Sequence, residues 1–436
     1  MPIANLPLQP ARRINVVEAA RGVCALYVVV AHTFQILGYK YSLRADFPLM
    51  VDLLSGYPHQ AVLCFFLLSG FSIHYASLGR PLDELSGVIR YVYLRLRRVY
   101  PIFLLVVLAS FVFYYFGSLL GLDYYQRILT DFSWKDAVLT VFFLADRSTA
   151  CGRIATVLPT NPPFWSLSYE ILYYFIYPVF WKLSRDYSIY AAVAVGCLIS
   201  FTSFVVGKFG CGHFSNVLSL YFVWCLGALL AEYKRLNANI PLPRIFFYLA
   251  PFFSVVIIWV IAQSKYANID TLFWVMTFFV IMAIPVSTGS SMRLSVQESF
   301  FCLVAMSVLT FLVIVLARWK ALSDDMHTFY LRLGLFSVLF AALILSDGYV
   351  LRNRFLQWLI TRFYWLGSIS YGMYLVHYSW LVWGRELTHK WSLPIDYALL
   401  VIPIILCLAW LLEIRYQPWV SGRLDRIFLL GSDVRR

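Results

Sequence analysis

The sequence predicts an all-α fold, a polytopic bundle of helices that cross a membrane. Its 436 residues are 61% hydrophobic and only 13% charged, with a mean hydropathy of +0.75. Soluble domains are about half apolar and a quarter charged. Separate apolar runs also recur along the whole chain, and many of them reach the roughly 20 residues that a helix needs to span hydrocarbon. These two observations exclude an ordinary soluble protein.

The apolar segments predict roughly 10–12 transmembrane helices. They begin near residues 14, 61, 99, 164, 188, 217, 245, 271, 299, 333, 364 and 394. One further run, Val138–Ala145, is too short to cross and is predicted to lie on the membrane or to re-enter it. The stretch between residues 123 and 163 is too short for a sizeable core of its own. Residues 1–436 are therefore predicted to form a single transmembrane domain.

Charge predicts the orientation of the chain. The net charge is +13, and lysine and arginine concentrate in cytoplasmic loops of membrane proteins. An N-terminus inside places the basic stretch before Tyr100 in the cytoplasm, together with tails at 1–13 and 417–436. The aromatic-plus-basic pattern of a nucleic-acid binder is missing, so no nucleic-acid partner is predicted.

Most of the eight cysteines fall inside apolar segments, where a thiol behaves as a small hydrophobic group. Cys151 and Cys211 both fall in predicted outer loops, where a disulfide between them is one outcome. No CxxC motif or Cys/His cluster is found, so no metal site is predicted.

Three ionisable side chains lie on one face of the first predicted helix. Glu18, Arg21 and His32 fall within about 60° of arc, and His32 lies roughly 27 Å along the helix from Ile14. Such groups must face the protein interior or a wet cavity. One interpretation is a Glu18–Arg21 pair beside a histidine bonded to a backbone carbonyl. The other is a functional site, in which neutral His32 takes a proton from a substrate hydroxyl.

Five short stretches, in chain order, resemble the acyltransferase 3 family of membrane-embedded enzymes that O-acylate sugars and other acceptors. They are "VVEAARGVCALYVVVAH", "FFLLSGFSIHY", "RLRRVYP", "FWSLSYEILYYFIYP" and "LGSISYGMYLVH". The family more often has aspartate at the position of Glu18. The resemblance implies that His32 is the principal catalytic residue, and it extends from Glu18 to His377.

The resemblance and the side-chain chemistry together assign candidate roles. The candidates are His32, Glu18 and Glu170 for catalysis; Arg21, Arg95, Arg98 and Ser69 for the acyl-CoA donor; and Trp165, Ser168, Tyr374 and His377 for the acceptor or its cavity. Guanidinium groups bind phosphate bidentately, although basic residues near a membrane also serve topology and lipid headgroups. Helical periodicity places Arg97 on another side from Arg95 and Arg98.

Two of these assignments have equally simple structural alternatives. Glu170 either orients a protonated His32 or contacts the acceptor, or else it sits at a helix N-terminus and interacts with the helix dipole. His377 completes a polar stripe with Ser370 and Tyr374, and it either faces the cavity or lies at the membrane interface.

The expected activity is transfer of an acyl group from cytoplasmic acyl-CoA, with acetyl-CoA the expected donor, to a hydroxyl of a glycan or lipid-linked sugar. His32 would act as a general base or as a transient acyl carrier. The resemblance implies polysaccharide O-acetylation in a bacterial cytoplasmic (inner) membrane, with both termini in the cytoplasm. The alternative is a proton-coupled transporter that uses the same Glu/Arg/His stripe, although no inverted repeat is visible.

Overall fold

The computed structural model describes residues 15–43, 45–79, 82–129, 133–147, 150–210, 212–236 and 354–429. This part of the chain is an all-α bundle, as predicted, apart from two short parallel strands, Ala145–Asp146 (β1) and Ala155–Thr156 (β2). Within it, six helical stretches are long and apolar enough to cross a membrane. The segments predicted to begin near 245, 271, 299 and 333 lie outside the described residues.

The helices of the described residues are numbered here in chain order. In chain order they are α1 (Asn15–Ile36), α2 (Tyr39–Ser42), α3 (Pro48–Ser55), α4 (Pro58–Ser77), α5 (Leu85–Leu119), α6 (Asp123–Leu129), α7 (Trp134–Val141), α8 (Trp165–Asp186), α9 (Ile189–Phe209), α10 (His213–Ser219), α11 (Tyr221–Leu236) and α12 (Arg354–Lys390). The last helical segment, 401–429, is called here the C-terminal helix. It is α-helical over Val401–Trp410, π-helical over Leu411–Tyr416 and α-helical again over Gln417–Leu429.

Helix α5 begins earlier than the sequence predicts. The apolar segment was expected to start near residue 99, with the basic motif in the preceding loop, but the helix already runs from Leu85 and contains Pro101 in its interior. Hydropathy detects only the apolar part of a helix, so a polar first section is read as loop. The arginines of the motif are therefore carried on a helix, which fixes the directions of their side chains.

Between α5 and α8, the described residues contain no helix long and apolar enough to cross a membrane. The run expected to lie on or re-enter the membrane forms the end of α7, which Ser133 caps by accepting a hydrogen bond from the Asp136 N–H. The chain then turns at Phe143 into β1. Cys151 in this region is disulfide-bonded, and Cys211, the candidate partner named from the sequence, lies outside the described residues.

Helices α1 and α12 approach closely enough for their backbones to touch. A Cβ atom on Gly367 would lie 2.1 Å from the carbonyl oxygen of Glu18, and one on Gly22 would lie 2.7 Å from the amide nitrogen of Gly367. Small residues allow such close approach of helices in membranes. Helices α4 and α11 approach equally closely, because a Cβ on Gly70 would meet the backbone of Trp224. Each of these close backbone contacts is called here a seam. The two seams fix the spacing of the helices that surround the polar interior.

Candidate active site

A cavity of about 500 Å³, lined by charged, polar and apolar side chains, lies between α1, α4, α5, α8, α12 and the C-terminal helix. This volume is in the range of sites that bind small molecules. Most of the sequence-predicted site residues line it. They are Glu18, Arg21, Ser69, Arg95, Arg98, Glu170 and Tyr374. His32, Trp165, Ser168 and His377 are not among its lining residues, and each has other partners.

Arginine side chains from two helices line one part of the cavity. Arg21 on α1 lies 3.6 Å from the Glu18 carboxylate, so the ion pair weighed as the simpler interpretation is formed, and it forms in the cavity wall. Arg97 on α5 also lines the cavity, although periodicity places it on another side of its helix. There it pairs with Asp425 of the C-terminal helix, which also accepts a hydrogen bond from the Tyr93 hydroxyl.

Arg95 differs from the other cavity arginines. Among the described residues no carboxylate forms an ion pair with it, and its Nε is buried without a hydrogen-bond partner. Its guanidinium carbon lies 5.4 Å from the centre of the Tyr91 ring, a cation–π contact that leaves the charge unneutralised. A half-buried cation in this state favours binding of an anion.

Glu413 is a buried site residue that sequence reasoning missed. It lies in the π-helical part of the C-terminal helix, and its side chain is only 2% exposed. Its Oε2 is 2.8 Å from Arg98, and its Oε1 accepts a hydrogen bond of 3.0 Å from the Gly372 N–H on α12. One carboxylate thus ties α5 and α12 to the C-terminal helix. A π-helical turn frequently marks a functional site.

Glu170 faces the cavity from α8 and does not contact His32. Its Oε1 accepts hydrogen bonds from Ser69, at 2.8 Å, and from the Tyr174 hydroxyl. Ser69, expected to bind the donor, therefore holds Glu170 in position from α4. Both residues remain in the cavity wall, where a carboxylate with fixed partners can accept a hydrogen bond from a substrate.

The two serines of the Trp-Ser-Leu-Ser motif point in different directions. Ser168, expected at the cavity, instead donates a 2.7 Å hydrogen bond to the Ala145 carbonyl and fastens β1 to α8. Ser166 lines the cavity in its place and lies 2.8 Å from the Tyr374 hydroxyl. Positions two residues apart on a helix differ by about 200° in direction. Ser166 and Ser168 therefore cannot both face the cavity. Trp165 lies elsewhere, between the His59 ring and the Arg147 guanidinium.

His32 and His377 form a pair inside the bundle. The Nδ1 of His32 on α1 is 2.8 Å from the Nε2 of His377 on α12, and the two rings are nearly parallel with their centres 5.1 Å apart. His377 is 0% exposed and lies on α12, so its ring packs inside the bundle. The seam between Gly22 and Gly367 brings these two helices together.

The hydrogen bonds of this pair fix which nitrogen carries each proton. The Nδ1 of His377 is 2.6 Å from the Tyr374 backbone carbonyl, which can only accept, so this nitrogen is the donor. In neutral His377 the Nε2 is then an acceptor, and the Nδ1 of His32 must supply the proton between the rings. The Nε2 of His32 is left with a free lone pair, the form required of a base or a nucleophile.

Tyr374 lies between the cavity and the histidine pair. It lines the cavity, and its ring centre is 5.7 Å from that of His377. Its hydroxyl donates to the Pro163 carbonyl at 3.0 Å. Tyr374 and His377 therefore connect the cavity to His32 through side-chain contacts, an arrangement that the sequence does not reveal.

The described residues include no group of three or more His, Cys, Asp or Glu side chains arranged to hold a metal ion. The site is thus built from arginine, carboxylate, hydroxyl and imidazole groups. This set suits acid–base chemistry on an anionic substrate.

Comparison with known proteins identifies the family. No curated protein and no solved structure matches the chain. The sequence model of the acyltransferase 3 family, described as an acyltransferase domain, matches residues 14–313. This region is more than half of the chain and contains four of the five motifs, whereas His377 and Glu413 lie beyond it. The chain belongs to the acyltransferase 3 family and is a membrane acyltransferase.

Proposed function

We propose that this protein transfers an acyl group from acyl-CoA, with acetyl-CoA as the donor, to a hydroxyl of a glycan or lipid-linked sugar. One observation carries the proposal. An arginine-lined cavity includes Tyr374, whose ring packs against the buried His377, the partner of His32. The arginines suit the phosphates of CoA, and the histidine pair suits the transfer of a proton.

Arg95 is the proposed primary contact of the donor phosphates. It brings an unpaired charge to the cavity, whereas Arg97 and Arg98 are each held by a carboxylate of the C-terminal helix. Arg98 still has 47% of its side chain exposed, and a guanidinium has five N–H donors. It can therefore bind a phosphate while Glu413 holds one edge of its fork.

The spacing along α1 suits a long, thin donor. Arg21 and His32 are separated by about 17 Å at the α-helical rise. A CoA thioester has charge at one end and a reactive carbonyl at the end of an extended pantetheine arm. With its phosphates at Arg95 and Arg98, the donor can direct its thioester along α1 towards His32.

His32 acts in this proposal as a general base. Its Nε2 takes the proton of the acceptor hydroxyl while that oxygen bonds to the thioester carbonyl carbon. The C–S bond then breaks, and the proton returns from His32 to the leaving thiolate, which departs as free CoA. His377 accepts a hydrogen bond from the His32 Nδ1–H throughout the reaction. This fixed acceptor stabilises the positive charge that forms on His32.

The donor and the acceptor are proposed to enter from opposite faces. The N-terminus, the C-terminus and the arginine motif would face the cytoplasm, as the positive-inside rule expects. The disulfide at Cys151 supports an oxidising environment for the other face. The loop that carries it packs near the histidine pair, because Asn161 donates to the Leu375 carbonyl on α12. An acceptor from the outer face would thus meet His32 directly.

The proposal is tested with purified protein in lipid nanodiscs, using acetyl-CoA and a panel of glycan acceptors. The wild type should release free CoA and form an O-acetyl ester. His32→Ala should lose both activities and still bind CoA, measured by the rise in melting temperature that a ligand gives. His389→Ala, on the exposed last turn of α12, is the matched control and should behave as wild type.

Two results would contradict the proposal. Retained O-acetyl transfer by His32→Ala would remove His32 from the chemistry. Proton-coupled flux into vesicles without consumption of thioester would favour the transporter alternative. A hydroxylamine-sensitive acetyl group on the protein would instead replace the general base by an acyl-histidine intermediate.

A further inference from the structure

Tyr374 occupies the place where the donor cavity and the histidine pair meet. One side of the residue faces the cavity. Another side packs against His377, with the two rings inclined at 46°. Neither His32 nor His377 lines the cavity, whereas Tyr374 lines it and packs against His377, the partner of His32.

The ring of Tyr374 is held in place from two directions. Its hydroxyl lies 2.8 Å from Ser166 Oγ and 3.0 Å from the carbonyl oxygen of Pro163, which is buried in the turn before α8. Phe65 on α4 meets the ring edge to face, with the ring centres 5.8 Å apart. These contacts hold the Tyr374 ring in one position at the cavity wall while no donor is bound.

The cavity lining also includes apolar side chains, which are Val62, Phe65, Phe66 and Leu167. Of these, Phe65 contacts the Tyr374 ring. Such a lining suits an acyl group and its thioester, whereas the charged lining around Arg95 and Arg98 suits phosphate.

We infer that Tyr374 selects the acyl chain of the donor, admitting short acyl groups and excluding long ones. The inference rests on the proposed function, since it assumes that acyl-CoA occupies the cavity. A short acyl group fits against the ring, and a small displacement of the ring then brings the thioester to His32. A long chain must displace the ring entirely and break both bonds of its hydroxyl.

The side chain can move without disturbing the histidine pair. His377 donates its Nδ1 proton to the backbone carbonyl of Tyr374, not to the hydroxyl. Rotation of the Tyr374 side chain therefore leaves that carbonyl in place, and the proton positions of His377 and His32 are kept. One residue supplies a fixed backbone acceptor and a movable wall.

The test compares acetyl-, butyryl- and octanoyl-CoA as donors for wild type, Tyr374→Ala and Tyr374→Phe. Tyr374→Ala should raise the octanoyl-to-acetyl ratio of kcat/KM by about tenfold or more, since single methylenes in apolar pockets give effects of this size. Tyr374→Phe keeps the ring and should stay within about threefold of the wild-type ratio. Tyr187→Ala, which removes a tyrosine that is 77% exposed at the end of α8, is the matched control.

An unchanged octanoyl-to-acetyl ratio in Tyr374→Ala, with wild-type CoA binding and melting temperature, would overturn the inference and leave the proposed function intact. If Tyr374→Ala does not fold, Tyr374→Leu repeats the measurement with a smaller void, and an unchanged ratio there has the same meaning. A wild type that neither binds CoA nor cleaves its thioesters would remove the proposed function and this inference together.

Discussion

Replacing His377 with alanine removes the acceptor that holds the Nδ1 proton of His32. The His32 Nδ1 and the His377 Nε2 are 2.8 Å apart. Without His377, the neutral His32 ring can carry its proton on either nitrogen and can rotate. We predict that kcat falls while KM for the donor stays nearly constant, because His377 does not line the cavity.

The magnitude follows from the change in charge on His32. In the resting state both rings are neutral, and such a bond contributes about 0.5–1.5 kcal/mol. In the transition state His32 is positively charged, and the bond contributes about 1.5–3 kcal/mol. The difference of about 1–1.5 kcal/mol corresponds to roughly 5- to 13-fold in rate. Loss of the correct proton position adds to this, so kcat should fall about 10- to 100-fold, within the range attributed to general bases.

The assay is steady-state release of CoA with a saturating acceptor, in nanodiscs, at several acetyl-CoA concentrations. His377→Gln retains a carbonyl oxygen that can accept the His32 proton, so it should recover part of the lost kcat. The melting temperature of each variant separates this effect from unfolding, since His377 is fully buried. If His377→Ala kept kcat within about twofold of wild type while His32→Ala was inactive, the assignment of His377 as the positioning residue would be refuted.

Three further outcomes are expected. Arg95→Gln should weaken CoA binding about 10- to 100-fold, as for the loss of a charged hydrogen bond. The binding of phosphate-free pantetheine should stay unchanged. Arg423→Gln, on the exposed side of the C-terminal helix, serves as the control. Gly367→Ala should lower the free energy of unfolding by about 1–3 kcal/mol, because its Cβ would lie 2.1 Å from the Glu18 carbonyl oxygen, and a normal melting temperature would contradict the close seam. Reduction of the disulfide at Cys151 should cost about 2–4 kcal/mol, and an unchanged melting temperature in dithiothreitol would contradict it.

Helical periodicity was sufficient to place the polar face of α1. Glu18 and Arg21 are three residues apart, so they lie on one side of any regular helix, and both line the cavity. The same periodicity could not show that His32 lies beyond the cavity, because its surroundings depend on Tyr374 of α12. Contact between α1 and α12 is set by the packing of residues far apart in the sequence.

The direction of a single serine could not be predicted either. The motif around Trp165 contains Ser166 and Ser168, and which of them faces the cavity depends on the rotation of α8 about its axis. That rotation is fixed by contacts such as the bond from Ser168 to the Ala145 carbonyl. A sequence gives the angle between two positions of a helix but not the absolute orientation of the helix.

Glu413 can be singled out in the sequence, but its hydrogen-bond and ion-pair partners cannot. It lies within the apolar run at the end of the chain, where the sequence shows one carboxylate among hydrophobic residues. An acidic residue inside a membrane segment is itself a signal of function, and this signal was available. Its partners, Arg98 and the Gly372 N–H, were not, because they come from α5 and α12.

The distance in sequence between the two histidines has a consequence for biosynthesis. His32 and His377 are 345 residues apart, and a ribosome that adds about 5–20 residues per second needs roughly 17–70 s to cover that interval. The first helix must therefore remain in the membrane for this time with its imidazole unpaired, exposed to whatever neighbours are present. A chain interrupted anywhere before α12 would insert into the bilayer normally and never acquire the pair, so nascent fragments are expected to be membrane-bound and inert.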